Sequence, residues 1–142
     1  MNHRESPTAV IDTDVASFLF SRDPVRVQRY APHLQGRLAV LPFATVGELL
    51  FGARHRNWGF RRLMDLEQFI RSYEIEYPNY VVCEIWSDVR ATARKAGKTI
   101  EPQDAWVAAT AIYLDLPLVT HNASDYAGVS GIQIITEPDK AQ

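Results

Sequence analysis

Three acidic side chains, at well-separated points of this 142-residue sequence, lie inside apolar stretches. They are Asp12 in AVIDTDV, Glu48 in ATVGELLFGA and Asp104 in IEPQDAWVAATA. A carboxylate at the edge of an apolar element is costly unless a partner compensates its charge, and a divalent cation is a suitable partner. The pattern therefore predicts a metal site built from dispersed carboxylates.

Short strand-like runs alternate with helical stretches along the chain. The runs are rich in β-branched or aromatic residues and cover 8–11, 38–41, 73–77, 117–120 and 132–136. This order predicts an α/β fold, with a short, mostly parallel five-stranded sheet flanked by helices on both faces. The length of 142 residues fits a single domain over 1–142.

The clearest helical stretch carries apolar residues every three to four positions and ends before Gly97, namely Ile85, Val89, Ala93 and Ala96. In parallel sheets, functional groups gather beyond the carboxyl ends of the strands. Asp12 and Thr120 are expected at such ends. Asp12 then faces the crevice or caps the following helix, and Asp14 is the better candidate for the cap because it lies closer to the helix.

Glu48 and Asp104 are both expected on helices. Glu48 lies on a helix predicted to begin near Thr45, and the glycines on either side of it suggest close approach of backbone or ligand. Asp104 follows Pro102 within a first helical turn, where it can face the positive end of the helix dipole. Small alanines on the face of Asp104 would carry it toward the sheet.

A polar cluster follows the predicted strand PLVTH, where a parallel sheet places ligand groups. Its members are Thr120, His121, Asn122, Ser124 and Asp125. The net charge of −2 does not indicate a nucleic-acid binder, so such a role must rest on local charge. Basic residues do crowd one stretch, which contains Arg54, His55, Arg56, Arg61 and Arg62, with Trp58 and Phe60 among them. Both RNA contact and a solvated helix face fit this stretch.

No apolar run approaches the roughly 20 residues needed to span a bilayer. The opening residues MNHRESPT lack the apolar stretch of a signal peptide, so we expect a cytoplasmic protein. Cys83, the single cysteine, cannot form an internal disulfide. Its apolar context VVCEIW predicts a buried thiol.

Four motifs in order resemble those of PIN-domain ribonucleases, and more narrowly of the VapC type, the toxin half of bacterial toxin–antitoxin pairs. They are IDTDV, VGELLFGA, PQDAWVAATA and LVTHNASDY, and the resemblance runs from about Thr8 to Thr136. It implies a metal-dependent endoribonuclease that hydrolyses RNA phosphodiesters with a metal-activated water. Mg²⁺ is the expected cofactor and Mn²⁺ the alternative, since both prefer hard oxygen ligands.

By the same resemblance, Asp12, Glu48 and Asp104 match the first three acidic residues of the site, and Asp12 and Asp104 hold the metal. The fourth catalytic position falls on Asn122 or Asp125. We expect Asp125 to be a weaker, outer acidic group, because a carboxylate is a better partner than an amide for a divalent ion.

Asp14, Thr120 and Asn122 match positions that orient the site or the substrate. Asp14 departs from the family, which often carries asparagine or serine there. The arginines that would hold the RNA backbone are Arg54, Arg56, Arg61 and Arg62.

The resemblance also implies partners, namely RNA of the tRNA or another structured class, a small DNA-binding antitoxin, and a second copy in a homodimer. Leu66, Phe69 and Ile70 fit either a partner groove or the core. One alternative function is a non-catalytic PIN-like module that binds RNA or protein. A haloacid-dehalogenase-like phosphatase is a further alternative, although its motif requires Thr or Val where Ala16 stands. A response-regulator receiver requires an aspartate and a lysine at strand ends that YEIEYP and IQIITEP do not provide.

Overall fold

The structure, a computed structural model, describes residues 8–139. Its strands are β1 (Thr8–Ile11), β2 (Leu38–Pro42), β3 (Glu74–Glu76), β4 (Leu118–Val119) and β5 (Ile134–Ile135). They form one sheet in the order β3-β2-β1-β4-β5, and every pairing is parallel. The five predicted strand runs are confirmed, although β3, β4 and β5 are shorter than expected.

Between residues 8 and 139, six α-helices and one short 3₁₀ helix connect the strands. They are α1 (Thr13–Ser21), α2 (Pro24–Leu34), α3 (Phe43–His55), α4 (Phe60–Arg71), α5 (Tyr80–Lys95), α6 (Pro102–Leu114) and the 3₁₀ helix Ala123–Tyr126. α3 begins at Phe43, directly after β2 and two residues before Thr45, near which its start was predicted. Phe43 and Ala44 carry no turn signal, so the sequence alone does not mark this boundary.

Alternation of side chains along the central strands divides the core into two clusters, one on each face of the sheet. Ile11 of β1 packs in the cluster that contains residues of α1, α3 and α4. Its neighbour Val10 packs in the cluster that contains residues of α5 and α6. The prediction of helices on both faces is therefore confirmed.

α6 packs closely because its inner residues are small. Ala105, Ala108 and Ala111 are buried, together with Val107. Small side chains let a helix approach the sheet closely, and this approach brings the first turn of α6 toward the carboxyl edge of the strands. Leu66 and Ile70 of α4 are also core residues, so they pack in the core and do not form an exposed partner groove.

α5 confirms the predicted period only in part and corrects one expectation. Val89 and Ala93 are buried, whereas Ala96 is exposed just beyond the helix end. Cys83 is exposed, so the prediction of a buried thiol is wrong. The reason is helical geometry: Val82 faces the core, and the next residue lies about 100° further round the helix.

Among residues 8–139, no helix is long and apolar enough to cross a membrane. Residues 1–7, which make up most of the polar opening segment MNHRESPT, lie outside the described residues.

Candidate active site

Asp12 lies at the centre of the carboxyl edge of the sheet, between β1 and α1, and only 6% of it is exposed. One carboxylate oxygen, Oδ1, accepts a hydrogen bond from the backbone N–H of Thr13 at 2.7 Å. The other, Oδ2, accepts from the hydroxyls of Thr120 at 3.0 Å and Tyr126 at 2.7 Å. Asp12 occupies the N-cap position of α1, so the prediction that Asp14 is the cap is wrong.

The hydrogen bonds of Asp12 differ between its two oxygens. An ionised carboxylate offers about four lone-pair sites on two oxygens. Oδ2 uses its capacity on two hydroxyl donors, whereas Oδ1 has one donor among the described residues. Oδ1 therefore retains capacity to bind a cation, while Oδ2 fixes the orientation of the group.

Asp14 joins α1 to the loop that follows β4. Its carboxylate accepts hydrogen bonds from the Val15 N–H at 2.7 Å, the Asn122 side-chain amide at 2.8 Å and the His121 N–H at 3.2 Å. Burial, followed by the charge of Asp12, raises the pKa of Asp14 to about 6. The structure thus places Asn122 against Asp14, and the buried Thr120 against Asp12.

Glu48 on α3 and Asp104 on α6 face the same region as Asp12. Burial, followed by the charges of Asp12, Asp125 and Glu48, raises the pKa of Asp104 to about 7. Burial and then the charge of Asp12 raise the pKa of Glu48 as well. Like charges raise each other's pKa when they lie near one another. The three widely separated acidic residues are therefore neighbours in the fold.

The two candidates for the fourth position lie in different settings. Asp125 is exposed on the 3₁₀ helix Ala123–Tyr126, and its charge contributes to the raised pKa of Asp104. Asn122 precedes that helix and donates to Asp14. Asp125 thus lies near the carboxylates at their outer side, and Asn122 supports Asp14.

Tyr126 was not identified from the sequence, yet it is buried and donates to Asp12. In the sequence it looks like an ordinary core aromatic. No sequence signal marked it, because the 3₁₀ helix that turns Tyr126 inward is known only from the structure. Tyr30 is a second such residue, because its hydroxyl pairs with Nδ1 of His121 at 2.7 Å and so supports the loop beside Asp14.

The predicted RNA-binding arginines are all exposed, namely Arg54, Arg56, Arg61 and Arg62. Arg56 and Arg62 line a cavity of about 210 Å³ that also includes Glu48. Arg61 lines a wider surface groove with Arg22 and Arg62. The structure therefore places two of the four arginines next to an acidic site residue.

The donor set suits a hard divalent cation, because it consists of carboxylates whose mutual repulsion a cation would relieve. Within residues 8–139, no three acidic, histidine or cysteine side chains are placed as a ready metal-binding group. Mg²⁺ is usually held by one or two carboxylates and keeps several waters, so its binding does not require a ready group of three such side chains.

A parallel sheet that gathers acidic side chains at its carboxyl edge defines a class of α/β proteins whose ligands bind at that edge. The PIN domain family model matches residues 9–130. The chain belongs to the PIN domain family. This assignment excludes the phosphatase and receiver alternatives.

Known relatives share most of the chain length. Ribonuclease VapC1 of Haemophilus influenzae (strain R2866) is 26% identical over 125 residues, which cover 87% of this chain and 93% of the relative. The tRNA(fMet)-specific endonuclease VapC of Shigella flexneri is 23% identical over 124 residues, with the same coverage. A structure of VapBC2 from Rickettsia felis, bound to a DNA fragment from their promoter, matches with a TM-score of 0.79 at 15% identity. It covers 91% of this chain and 98% of the matched chain, and it supports the fold.

Proposed function

We propose that this PIN domain is a Mg²⁺-dependent endoribonuclease and the toxin of a type II toxin–antitoxin pair. The observation that carries the proposal is the convergence of Asp12, Glu48 and Asp104 at the carboxyl edge of the sheet, where burial and mutual charge raise the pKa of Glu48 and Asp104. The VapC ribonucleases among its relatives support the choice of RNA as substrate.

In this function, Asp12 and Asp104 hold the cation, with Mn²⁺ as an alternative to Mg²⁺. When bound, the cation supplies an acidified water and offsets negative charge on the phosphoryl oxygens. Thr120 and Tyr126 hold Oδ2 of Asp12, so Oδ1 is the oxygen that would be available to the cation. Glu48 and Asp125 position water at the edges of the site, and Asp14 and Asn122 keep the rim in place. Arg54, Arg56, Arg61 and Arg62 attract the RNA backbone.

The products distinguish this chemistry from that of metal-independent ribonucleases. Water attack at phosphorus leaves a 3′-hydroxyl and a 5′-phosphate, whereas use of the RNA 2′-hydroxyl leaves a cyclic phosphate. The test is incubation of single-stranded RNA with purified protein in Mg²⁺ or in a chelator, followed by analysis of the product ends. We expect 5′-phosphate ends in Mg²⁺ alone. Cyclic phosphate ends, or equal cleavage in chelator, would contradict the proposal. A non-catalytic binding module would give no cleavage.

We propose tRNA or another structured RNA as the substrate class, which the name of the Shigella flexneri relative supports. A small DNA-binding antitoxin is the proposed partner, supported by the promoter-bound VapBC2 structure. A homodimer in the cytoplasm completes the proposal.

Tyr126→Phe is expected to weaken the apparent Mg²⁺ affinity in the cleavage assay by roughly 10- to 100-fold, because groups that orient a metal ligand contribute about that much. The change removes only the hydroxyl that donates to Asp12. Tyr113→Phe is the matched control, since the hydroxyl of Tyr113 bonds Asn79 away from the site. An unchanged Mg²⁺ requirement in Tyr126→Phe would show that Asp12 does not depend on this bond.

Saturating Mg²⁺ is expected to raise the melting temperature of the wild type by several degrees, because a ligand at about 100 times its dissociation constant adds about 2.7 kcal/mol of stability. The rise should be smaller in Glu48→Gln, whose amide removes one repelling charge from the cluster. Glu84→Gln, at an exposed position of α5, is the control. The same rise in Glu48→Gln and wild type would exclude Glu48 from the metal site.

Asp125→Asn is expected to lower cleavage and shift the Mg²⁺ requirement upward, with a loss smaller than that of Asp104→Asn. The exposed carboxylate acts at the outer side of the cluster, where a cation and its waters are better served by charge than by an amide. Titration of both variants with Mg²⁺ measures the difference. A crippling Asn122→Ala together with a neutral Asp125→Asn would reverse the assignment of the fourth position.

A further inference from the structure

A cavity of about 210 Å³ opens beside Glu48, between α1, α3 and α4. Its lining combines hydroxyl, aromatic and guanidinium groups, which include those of Thr13, Ser17, Phe51, Arg56, Trp58 and Arg62. Glu48 belongs to both the carboxylate cluster and this lining. Whatever enters the cavity is therefore adjacent to the reacting centre.

One wall of the cavity is a stack of flat groups. The guanidinium carbon of Arg62 lies 3.9 Å from the ring centroid of Trp58, and Phe20 stacks on Trp58 at 5.6 Å with an interplanar angle of 28°. These contacts restrict the motion of both the indole and the guanidinium. Guanidinium planes and aromatic rings are the surfaces on which unpaired nucleobases stack.

The lining also includes an aromatic ring that the fold does not need for its core. Phe51 on α3 is 66% exposed, and its ring stacks on the exposed His55 at 5.7 Å. A flat group that entered the cavity would bury this exposed ring, which is favourable. Because Phe51 contributes little to the core, its removal should leave the fold intact.

The charges around the cavity are arranged for a nucleotide. Arg56 and Arg62 supply positive charge, and the hydroxyls of Thr13 and Ser17 supply hydrogen-bonding groups on the α1 side. A nucleotide combines an apolar flat base with hydrogen-bonding edges and an anionic phosphate. The cavity offers a counterpart to each part, namely aromatic rings and the stacked Arg62 guanidinium for a base, and the Arg56 guanidinium for a phosphate.

We propose that this cavity is a base-binding subsite, which holds one nucleobase of the RNA next to the phosphodiester at the carboxylate cluster. The inference rests on the proposed nuclease function and adds an element of substrate recognition to it. Phe51 and the Arg62–Trp58 pair contact the base, and Arg56 contacts the neighbouring phosphate. The nucleotide beside the cut is then recognised by its base as well as by its backbone.

The test uses a short single-stranded RNA that the wild type cleaves at a mapped position, and versions of it that lack one base at each position flanking the cut. In the wild type, loss of the base at one flanking position should lower kcat/KM roughly tenfold, the effect of one lost stacking contact. In Phe51→Ala, the intact RNA should be cleaved more slowly, with little further loss on removal of that base. Phe60→Ala is the matched control, because Phe60 is 79% exposed and lies outside the cavity lining.

A second readout does not depend on cleavage. An RNA that carries 2-aminopurine at the same flanking position should lose fluorescence on binding to Asp104→Asn protein, and this quenching should weaken in the Phe51→Ala, Asp104→Asn double variant. Equal cleavage of all base-lacking RNAs, or an equal loss on intact and base-lacking RNA in Phe51→Ala, would overturn the subsite and leave the cavity to a protein partner. Absence of any Mg²⁺-dependent cleavage by the wild type would instead contradict the nuclease function itself.

Discussion

Asp104→Asn is expected to reduce Mg²⁺-dependent RNA cleavage by about 1,000-fold or more, because removal of a metal-binding carboxylate costs several kcal/mol of transition-state stabilisation. The fold should survive, since the amide is nearly isosteric and opens no cavity. The initial rate of cleavage of single-stranded RNA measures the effect, and circular dichroism checks the fold.

Asp88→Asn, at an exposed position of α5, serves as the control and should cleave like the wild type. Asp104→Asn should also melt at a higher temperature than the wild type in metal-free buffer at neutral pH, because it removes one of the repelling charges. Undiminished cleavage by Asp104→Asn, after contaminating nuclease is excluded, would remove Asp104 from the site.

Acidification is expected to stabilise the metal-free protein, with a melting temperature several degrees higher at pH 5 than at pH 7.5. The pKa values of Asp104 and Asp14 are raised to about 7 and about 6 in the folded protein. The folded state therefore binds more protons than the unfolded state between about pH 4 and pH 7, and stability falls as pH rises through this window.

Two controls test the origin of this pH dependence. Saturating Mg²⁺ should reduce it, because the cation takes the place of the protons in offsetting the repulsion. Asp104→Asn should also reduce it, because Asp104 has the larger rise in pKa. A melting temperature that increases steadily from pH 5 to pH 7.5 in metal-free buffer would contradict the electrostatic description of the site.

The order of the elements could be predicted from sequence because each strand carries a clear local signal. β1 and β2 are apolar and β-branched, and their predicted starts agree with the structure. The strands β4 and β5 are only two residues long, and their ends depend on pairing with neighbours, which local composition does not encode. Cys83 is exposed because it lies on the outer side of its helix. The side of the helix on which a residue lies predicts its burial better than the apolar character of its sequence neighbours.

Sequence reasoning could find those residues of the candidate site that are acidic and lie within apolar stretches. Asp12, Glu48 and Asp104 stood out as acidic residues in apolar stretches, and the fold brings them together. Tyr126 carried no such signal, because a buried tyrosine that bonds a carboxylate looks the same in sequence as one that only packs. Whether Asp12 or Asp14 caps α1 depended on where α1 begins, which is Thr13, and a helix boundary is fixed by pattern reasoning only to within one or two residues.

The central claim is that a cation held by Asp12 and its neighbours drives RNA hydrolysis. The most direct measurement is the single-turnover cleavage of single-stranded RNA as a function of Mg²⁺ concentration, in the wild type and in Asp12→Asn. We expect cleavage by the wild type to rise with Mg²⁺ to a plateau and to vanish in chelator, and Asp12→Asn to stay inactive at every concentration. Cleavage by the wild type without divalent cations, or the same Mg²⁺ dependence in Asp12→Asn, would contradict it.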